Sequence, residues 1–139
     1  MVTLGPDGAY GHPDHIVLHR WVSDAWHALE GDKPPLLFAA FPRGLFIPQW
    51  AKCIGMMGNP PSPSSDEIGS AAADYVVDIS EVANVKYTAI AAHRTQLRDG
   101  DPEALFPPGI VASLLQVERY SDAAGAADSS VDAILAGLA

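Results

Sequence analysis

A chain of 139 residues with 48% hydrophobic content and a mean hydropathy of +0.10 has enough apolar material for one domain with a real core, which argues against disorder. Its 8 basic and 17 acidic residues give a formal charge of -9, and this repels nucleic acid and anionic membrane surfaces. Cys53 is the single cysteine and cannot form an internal disulfide, so a reducing compartment, the cytoplasm, is expected. The longest apolar runs fall well short of the roughly 20 residues that span a bilayer, and no signal-peptide pattern is visible.

In chain order, Val2-Thr3-Leu4 is a short β-prone run that stops at the turn cluster Gly5-Pro6-Asp7-Gly8. From Pro13 onward, Leu18, Trp21, Val22, Ala25, Trp26 and Leu29 recur at helical spacing, with Pro13 suited to the first helical position and Gly31 just past the end. A helix over residues 13–30 is predicted, with that apolar stripe as its core face. The continuous apolar run Leu36 to Phe41 reads as a buried strand. Residues 42–73, with Pro48, Pro60, Pro61, Pro63, Gly55, Gly58 and Gly69, read as one long irregular excursion. Its Trp50, Met56 and Met57 either line a substrate entrance or tuck the loop onto the core.

Tyr75 to Ile79 is the next strand, followed by Ser80 as an N-cap, Glu81 in a first turn, and a helix to about Leu97. Asp99-Gly100-Asp101-Pro102 breaks it. A further helix is expected over Gly109 to Tyr120, and the small-residue end, 122–139, reads as a weak helix over Val131 to Leu138 or a frayed tail. Strands alternating with helices give an α/β class, a Rossmann-like three-layer sandwich in one domain over residues 1–139.

The chemistry concentrates in Tyr10-Gly11-His12-Pro13-Asp14-His15, two imidazoles and a carboxylate at the mouth of a helix. Neutral imidazole is the commonest zinc ligand, and a catalytic zinc normally takes three protein ligands. Adjacent residues at a helix start point about 100° apart, so His12, Asp14 and His15 cannot all converge on one ion. One of them is expected to be a ligand while the others do proton or positioning work. His15 and His19 stand four apart and could both face one metal, whereas His93 with Gln96 reads as a structural hydrogen-bond pair. Arg43, just past the strand ending at Phe41, lies where open sheets bind ligands and is a candidate sugar or acetate contact.

Two separated segments carry a family resemblance. Gly8-Ala9-Tyr10-Gly11-His12-Pro13-Asp14-His15-Ile16 with Leu18-His19-Arg20 resembles the second signature of the zinc-dependent PIG-L/LmbE-type N-acetylglucosaminyl deacetylases. Val77-Asp78-Ile79-Ser80 through Lys86, with Ala92 to Leu97, looks like that family's later strand-helix element. The family's opening His-Pro-Asp-Asp-like signature, which carries two zinc ligands and the general base, has no counterpart here. The sequence therefore resembles the family's C-terminal portion only, and Met1 falls inside what should be a central strand. A truncated reading frame, a split gene and a relic are all compatible with that.

By resemblance, water held on zinc attacks an acetamide carbonyl, His15 is the third zinc ligand, and His12 stabilises the oxyanion or protonates the leaving amine. Asp14 orients and charges His12, and Tyr10 is a mobile tyrosine that reaches the same oxygen. The implied cofactor is Zn2+ and the implied substrate an N-acetylglucosaminyl small molecule or glycolipid. A sheet without the missing strands leaves an edge and an apolar face uncovered, which association with itself or with a separate N-terminal half would close. The rival reading is a catalytically inactive truncated member that serves as a binding or assembly module.

Overall fold

The computed structural model describes residues 1–54, 58, 68–70, 72–125 and 131. Met56, Met57, the prolines at 60, 61 and 63, and the expected helix over Val131 to Leu138 apart from Val131 itself lie outside the described residues.

The chain opens with strand β1 (Val2–Leu4) and a kinked helical turn α1 (Gly8–Gly11), then enters helix α2 (Pro13–His27). Strand β2 (Leu37–Ala39) follows, then α3 (Ile47–Cys53), strand β3 (Tyr75–Asp78), a 3-10 turn Ser80–Val82 and helix α4 (Ala83–Ala91). After a 3-10 turn Arg98–Gly100 come α5 (Pro102–Leu105), α6 (Ile110–Leu114) and strand β4 (Val117–Asp122). The strands form one sheet in the order β1-β2-β4-β3, with β1 and β2 parallel and β4 antiparallel to both its neighbours.

The pleat and the helices together make three layers. Phe38 is paired with Ser121, so both point to one face, where the ring of His19 from α2 lies 4.7 Å from that of Phe38. Glu118 is an odd number of residues from Ser121 and therefore points to the other face, where Lys86 of α4 meets it at 2.7 Å. Helices cover both sides, in agreement with the expected incomplete Rossmann-like α/β class. The core divides accordingly into one cluster of Ala9, Phe46, Trp50, Ile68 and Ile110, and a second of Leu37, Tyr75 and Val131.

Several local expectations are corrected. The segment read as a helix from Gly109 to Tyr120 is helical only over Ile110–Leu114, and Val117–Asp122 is a strand. Helical spacing of Val111, Leu114 and Leu115 runs into the strand and hides the break, while long-range pairing on both sides of Val117–Asp122 overrides local pattern. The irregular excursion contains α3, begun by Pro48 in its first turn. Capping also differs at Ser80: the Asp78 carboxylate accepts the Ser80 backbone N–H at 2.9 Å, so the aspartate, not the serine, closes that turn. The helix read as reaching Leu97 stops at Ala91, where Nδ1 of His93 lies 3.0 Å from the Ala89 carbonyl and 3.2 Å from that of Ile90. His93 thus serves the helix end through backbone carbonyls.

The largest correction concerns α2. None of its 15 residues is buried, and Leu18, Trp21, Ala25 and Leu29, expected in the core, are exposed. The side turned to the sheet carries His15, Ile16, His19, Ser23 and Trp26, all half-buried. Of the apolar stripe, Val22 and Trp26 are half-buried, and only Leu18, Trp21, Ala25 and Leu29 stand exposed.

Candidate functional site

The Tyr10–His15 cluster sits at the carboxyl end of β1, and its shape comes from an unusual backbone. Gly8 (φ 59), Ala9 (φ 67) and Gly11 (φ 80) all adopt positive φ. Two of the three are glycines, which reach that region without steric cost, whereas Ala9 carries strain of about 1–2 kcal/mol. Burial of Ala9 against Phe46 and Trp50 holds it there. Gly8 has a second reason to lack a side chain, since a Cβ there would lie 2.8 Å from Cγ1 of Ile16.

This tight approach lets the Gly8 carbonyl meet Nδ1 of His15 at 3.1 Å. With Nδ1–H donating to a carbonyl, Nε2 keeps a free lone pair, which is the tautomer a metal-ligating imidazole needs. The His12 ring lies 4.7 Å from that of His15, centroid to centroid, tilted by 32°. His12 is also the N-cap of α2: its Nδ1 accepts the Asp14 backbone N–H at 3.2 Å. That bond occupies the Nδ1 lone pair and leaves Nε2–H as the donor of a neutral ring. Asp14 thus touches His12 through its amide, while its carboxylate stands exposed in the first turn of α2, favourably placed toward the helix dipole.

Tyr10 closes the cluster from one side. Its ring meets His12 edge-on at 5.7 Å and His15 edge-on at 5.4 Å, and leans on Phe46 at 6.0 Å. Burial, helped by the nearby Cys53, raises the Tyr10 phenol above its ordinary value, so it stays a neutral donor. Cys53 itself is buried and accepts a hydrogen bond from Nε2 of Gln49 at 3.3 Å.

The floor beneath the cluster is the excursion after β2. Trp50 of α3 is buried and would stand 3.5 Å from a Cβ on Gly11, so of its two expected roles it takes the core one. Asp7 ties the two segments: Oδ2 accepts the Gly69 N–H at 2.9 Å and Oδ1 the Ala9 N–H at 3.4 Å. Sequence reading missed this residue, treating it as one letter of a turn. The available signal was an aspartate ahead of glycine, which favours side-chain to backbone bonding.

The remaining candidates fall elsewhere. His19 turns to β1, with Nδ1 3.0 Å from the Leu4 carbonyl, and so does not join His15. His27 Nδ1 lies 2.7 Å from the Ser23 carbonyl. Arg43 lines a cleft of roughly 710 Å³ beneath α2 with His19, Ser23, Ser70 and Ser121, which reaches the site loop at Asp7 but not Tyr10, His12 or His15.

The chain is 30% identical over 145 residues to a 1D-myo-inositol 2-acetamido-2-deoxy-alpha-D-glucopyranoside deacetylase of Saccharomonospora viridis, a match covering 99% of this chain and 53% of the relative. Deacetylases of the same name from Mycolicibacterium vanbaalenii (30%, 91% of this chain, 47% of the relative) and Nocardia farcinica (31%, 70% and 38%) match as well. The chain belongs to the LmbE/PIG-L-type deacetylase family.

No family model matches, and the chain spans about half the length of the curated relatives it matches. Nε2 of His15 carries the lone pair that a metal ion would need. Among the described residues, however, no group of three or more His, Cys, Asp or Glu side chains could hold one. No helix among them is long and apolar enough to cross a membrane.

Proposed function

We propose that this chain supplies one zinc ligand and the oxyanion-stabilising side of a deacetylase site. Completed by the part of the family's length it does not span, the protein removes the acetyl group from an N-acetylglucosamine-containing small molecule or glycolipid. The observation that carries this reading is the pair of Nδ1 contacts, His15 to the Gly8 carbonyl and His12 to the Asp14 amide. They leave two Nε2 atoms in opposite states, a lone pair on His15 and an N–H on His12, on rings 4.7 Å apart.

His15 fits a zinc ligand, and the ligands it lacks must come from outside the described residues. Zinc, when bound, supplies Lewis-acid polarisation of the acetamide. The chain's own residues do the rest of their part. His12 Nε2–H donates a hydrogen bond to the acetamide oxygen as charge develops there; water adds to the carbonyl carbon, a general base from the part of the family's length this chain does not span carries the water's proton to the departing amine, the C–N bond breaks, and acetate and a free amine leave. Tyr10, kept protonated, offers a second hydrogen bond to the same oxygen. The Asp14 backbone N–H orients the His12 ring through Nδ1, and Arg43, in the cleft beneath α2 that reaches the site loop at Asp7, contacts the part of the sugar substrate that extends away from the acetamide. A reducing, cytoplasmic setting suits the single buried Cys53.

A second reading, a non-catalytic binding or assembly module, is favoured by the short donor set alone. Zinc content and release of amine from the inositol-linked N-acetylglucosamine named for the relatives separate the two. Both are measured on the 139-residue chain alone and after co-expression with the unmatched part of the Saccharomonospora viridis relative. Zinc and activity in the mixture support the enzyme; neither in any sample leaves the module.

A further inference from the structure

Helix α3 carries a polar group that the packing around it does not use. Phe46 at its N-cap, Gln49, Trp50 and Cys53 lie within about 100° of one another around the helix and are all buried, while Ala51 and Lys52 face solvent. Gln49 is thus one member of an otherwise apolar stripe, only 3% exposed. Its Nε2 donates to the Cys53 sulfur at 3.3 Å, and its Oε1 is buried with no hydrogen-bond partner. Exchanging the two ends of the amide does not help, because Oε1 would then accept from the thiol and the Nε2 hydrogens would be stranded instead. A buried polar atom left unpaired is costly and uncommon, so this one calls for a partner.

The hydroxyl group that faces this stripe belongs to Tyr10. Three consecutive residues of the site loop rest on α3: Ala9 packs with Phe46 and Trp50, the Tyr10 ring leans on Phe46 at 6.0 Å, and a Cβ on Gly11 would touch Trp50 at 3.5 Å. The Tyr10 phenol also feels Cys53, whose sulfur holds the other end of the Gln49 amide. As it stands, the ring is edge-on to His12 and His15, and its hydroxyl has no hydrogen-bond partner among the described residues. A half-buried donor and a buried acceptor therefore go unpaired around one sulfur atom.

We infer that Gln49 is a positioning residue for Tyr10: its amide receives the phenol hydroxyl when the ring turns inward onto α3, and so sets how often Tyr10 stands beside His12 with its proton free for substrate. The inference rests on the proposed role of Tyr10 as a donor to the acetamide oxygen. Turned inward, the hydroxyl proton is committed to Gln49 and the ring is silent. Turned outward, it is the second donor beside His12. The two positions exchange one hydrogen bond for another, and the charge that develops on the acetamide oxygen draws the ring out, since bonds to a charged acceptor are the stronger ones. Gln49 itself touches no substrate, and it acts through Tyr10 alone.

The test reads the two residues reciprocally by NMR on the 139-residue chain. Tyr10→Phe removes one oxygen atom and is expected to shift the side-chain amide signals of Gln49, while those of Gln96 and Gln116 stay in place. With 3-fluorotyrosine in place of tyrosine, Gln49→Met, which is close in size but has no amide, is expected to move the Tyr10 fluorine signal and leave those of Tyr75, Tyr87 and Tyr120 unmoved. Circular dichroism checks that each variant is folded, and should Gln49→Met fail to fold, the Tyr10→Phe arm decides. In the completed protein Gln49→Met raises kcat about two- to fivefold by emptying the silent position, and it has no effect in the Tyr10→Phe background. Gln49 signals indifferent to Tyr10→Phe, a kcat that falls in Gln49→Met, or a rate effect that survives in Tyr10→Phe overturns the proposal and leaves the amide to packing. Coupled NMR signals in a completed protein that releases no amine keep Gln49 as the partner of Tyr10 and sink the deacetylase reading.

Discussion

Nδ1 of His15 lies 3.1 Å from the carbonyl oxygen of Gly8, seven residues earlier in the chain. That single contact fixes which imidazole nitrogen is free, and it exists because Gly8 takes a positive φ and brings its backbone against the start of α2.

The two histidines are expected to fail differently. In the completed protein, His12→Ala lowers kcat by about 10²–10³ with zinc content unchanged, the usual size of losing one donor to a developing oxyanion. His15→Ala removes zinc and activity together. Metal analysis by mass spectrometry alongside initial rates separates them, and loss of zinc in His12→Ala would reverse the assignment.

Asp7 holds the site loop to the chain 62 residues away. Asp7→Ala strands the part-buried N–H groups of Gly69 and Ala9 and is expected to cost about 1–3 kcal/mol in urea unfolding. Asp7→Asn, which keeps one oxygen acceptor, is expected to recover part of that. Faster amide exchange at Gly69 in Asp7→Ala is the local readout, and an unchanged exchange rate would contradict the tether.

Tyr10 to His15 was legible because its chemistry is local: the residue types, the proline at the first helical position and the glycines all sit within a few positions. The helical period of α2 was legible too, but its direction was not. Periodicity reports that a stripe exists, and only packing tells whether Leu18 and Trp21 have something to face. Val117–Asp122 was misread because its strand character comes from partners at Leu37–Ala39 and Tyr75–Asp78, far away in sequence. Asp7 was overlooked for the same reason, its partner at Gly69 being invisible to any local window.

The Lys86–Glu118 contact joins α4 to the sheet and should show itself in the pH dependence of stability. Burial alone would raise Glu118, but hydrogen bonds from Lys86 and Tyr120 and the lysine's charge outweigh it and hold the carboxyl below its ordinary 4.5. A carboxyl lowered in the folded state stabilises above its unfolded value and loses that contribution as pH falls through the folded one. With side chains 25% and 35% exposed, the pair is largely screened, so Lys86→Met is expected to cost about 1 kcal/mol or less at pH 7. The difference from the unmutated chain should shrink below the ordinary carboxyl range. A gap that persists in acid would assign the loss to lysine packing instead.

Gly8→Ala tests the contact with which the site is built. The new methyl would sit at φ 59 and 2.8 Å from Cγ1 of Ile16, with the Ile16 backbone nitrogen at 3.1 Å, so both the conformation and the space oppose it. A destabilisation of about 2–4 kcal/mol is expected, from positive-φ strain together with overpacking. Relief of the clash pushes the Gly8 carbonyl away from His15, and the imidazole loses the partner that sets its tautomer. Removing such a partner typically weakens metal binding about 10–100-fold. Zinc affinity of the completed protein should fall by that much in Gly8→Ala. Replacing Gly31, which also has a positive φ but open space around it, should cost stability through strain alone and leave zinc affinity untouched. If both substitutions weaken zinc equally, the Gly8 carbonyl has no special role in aiming His15.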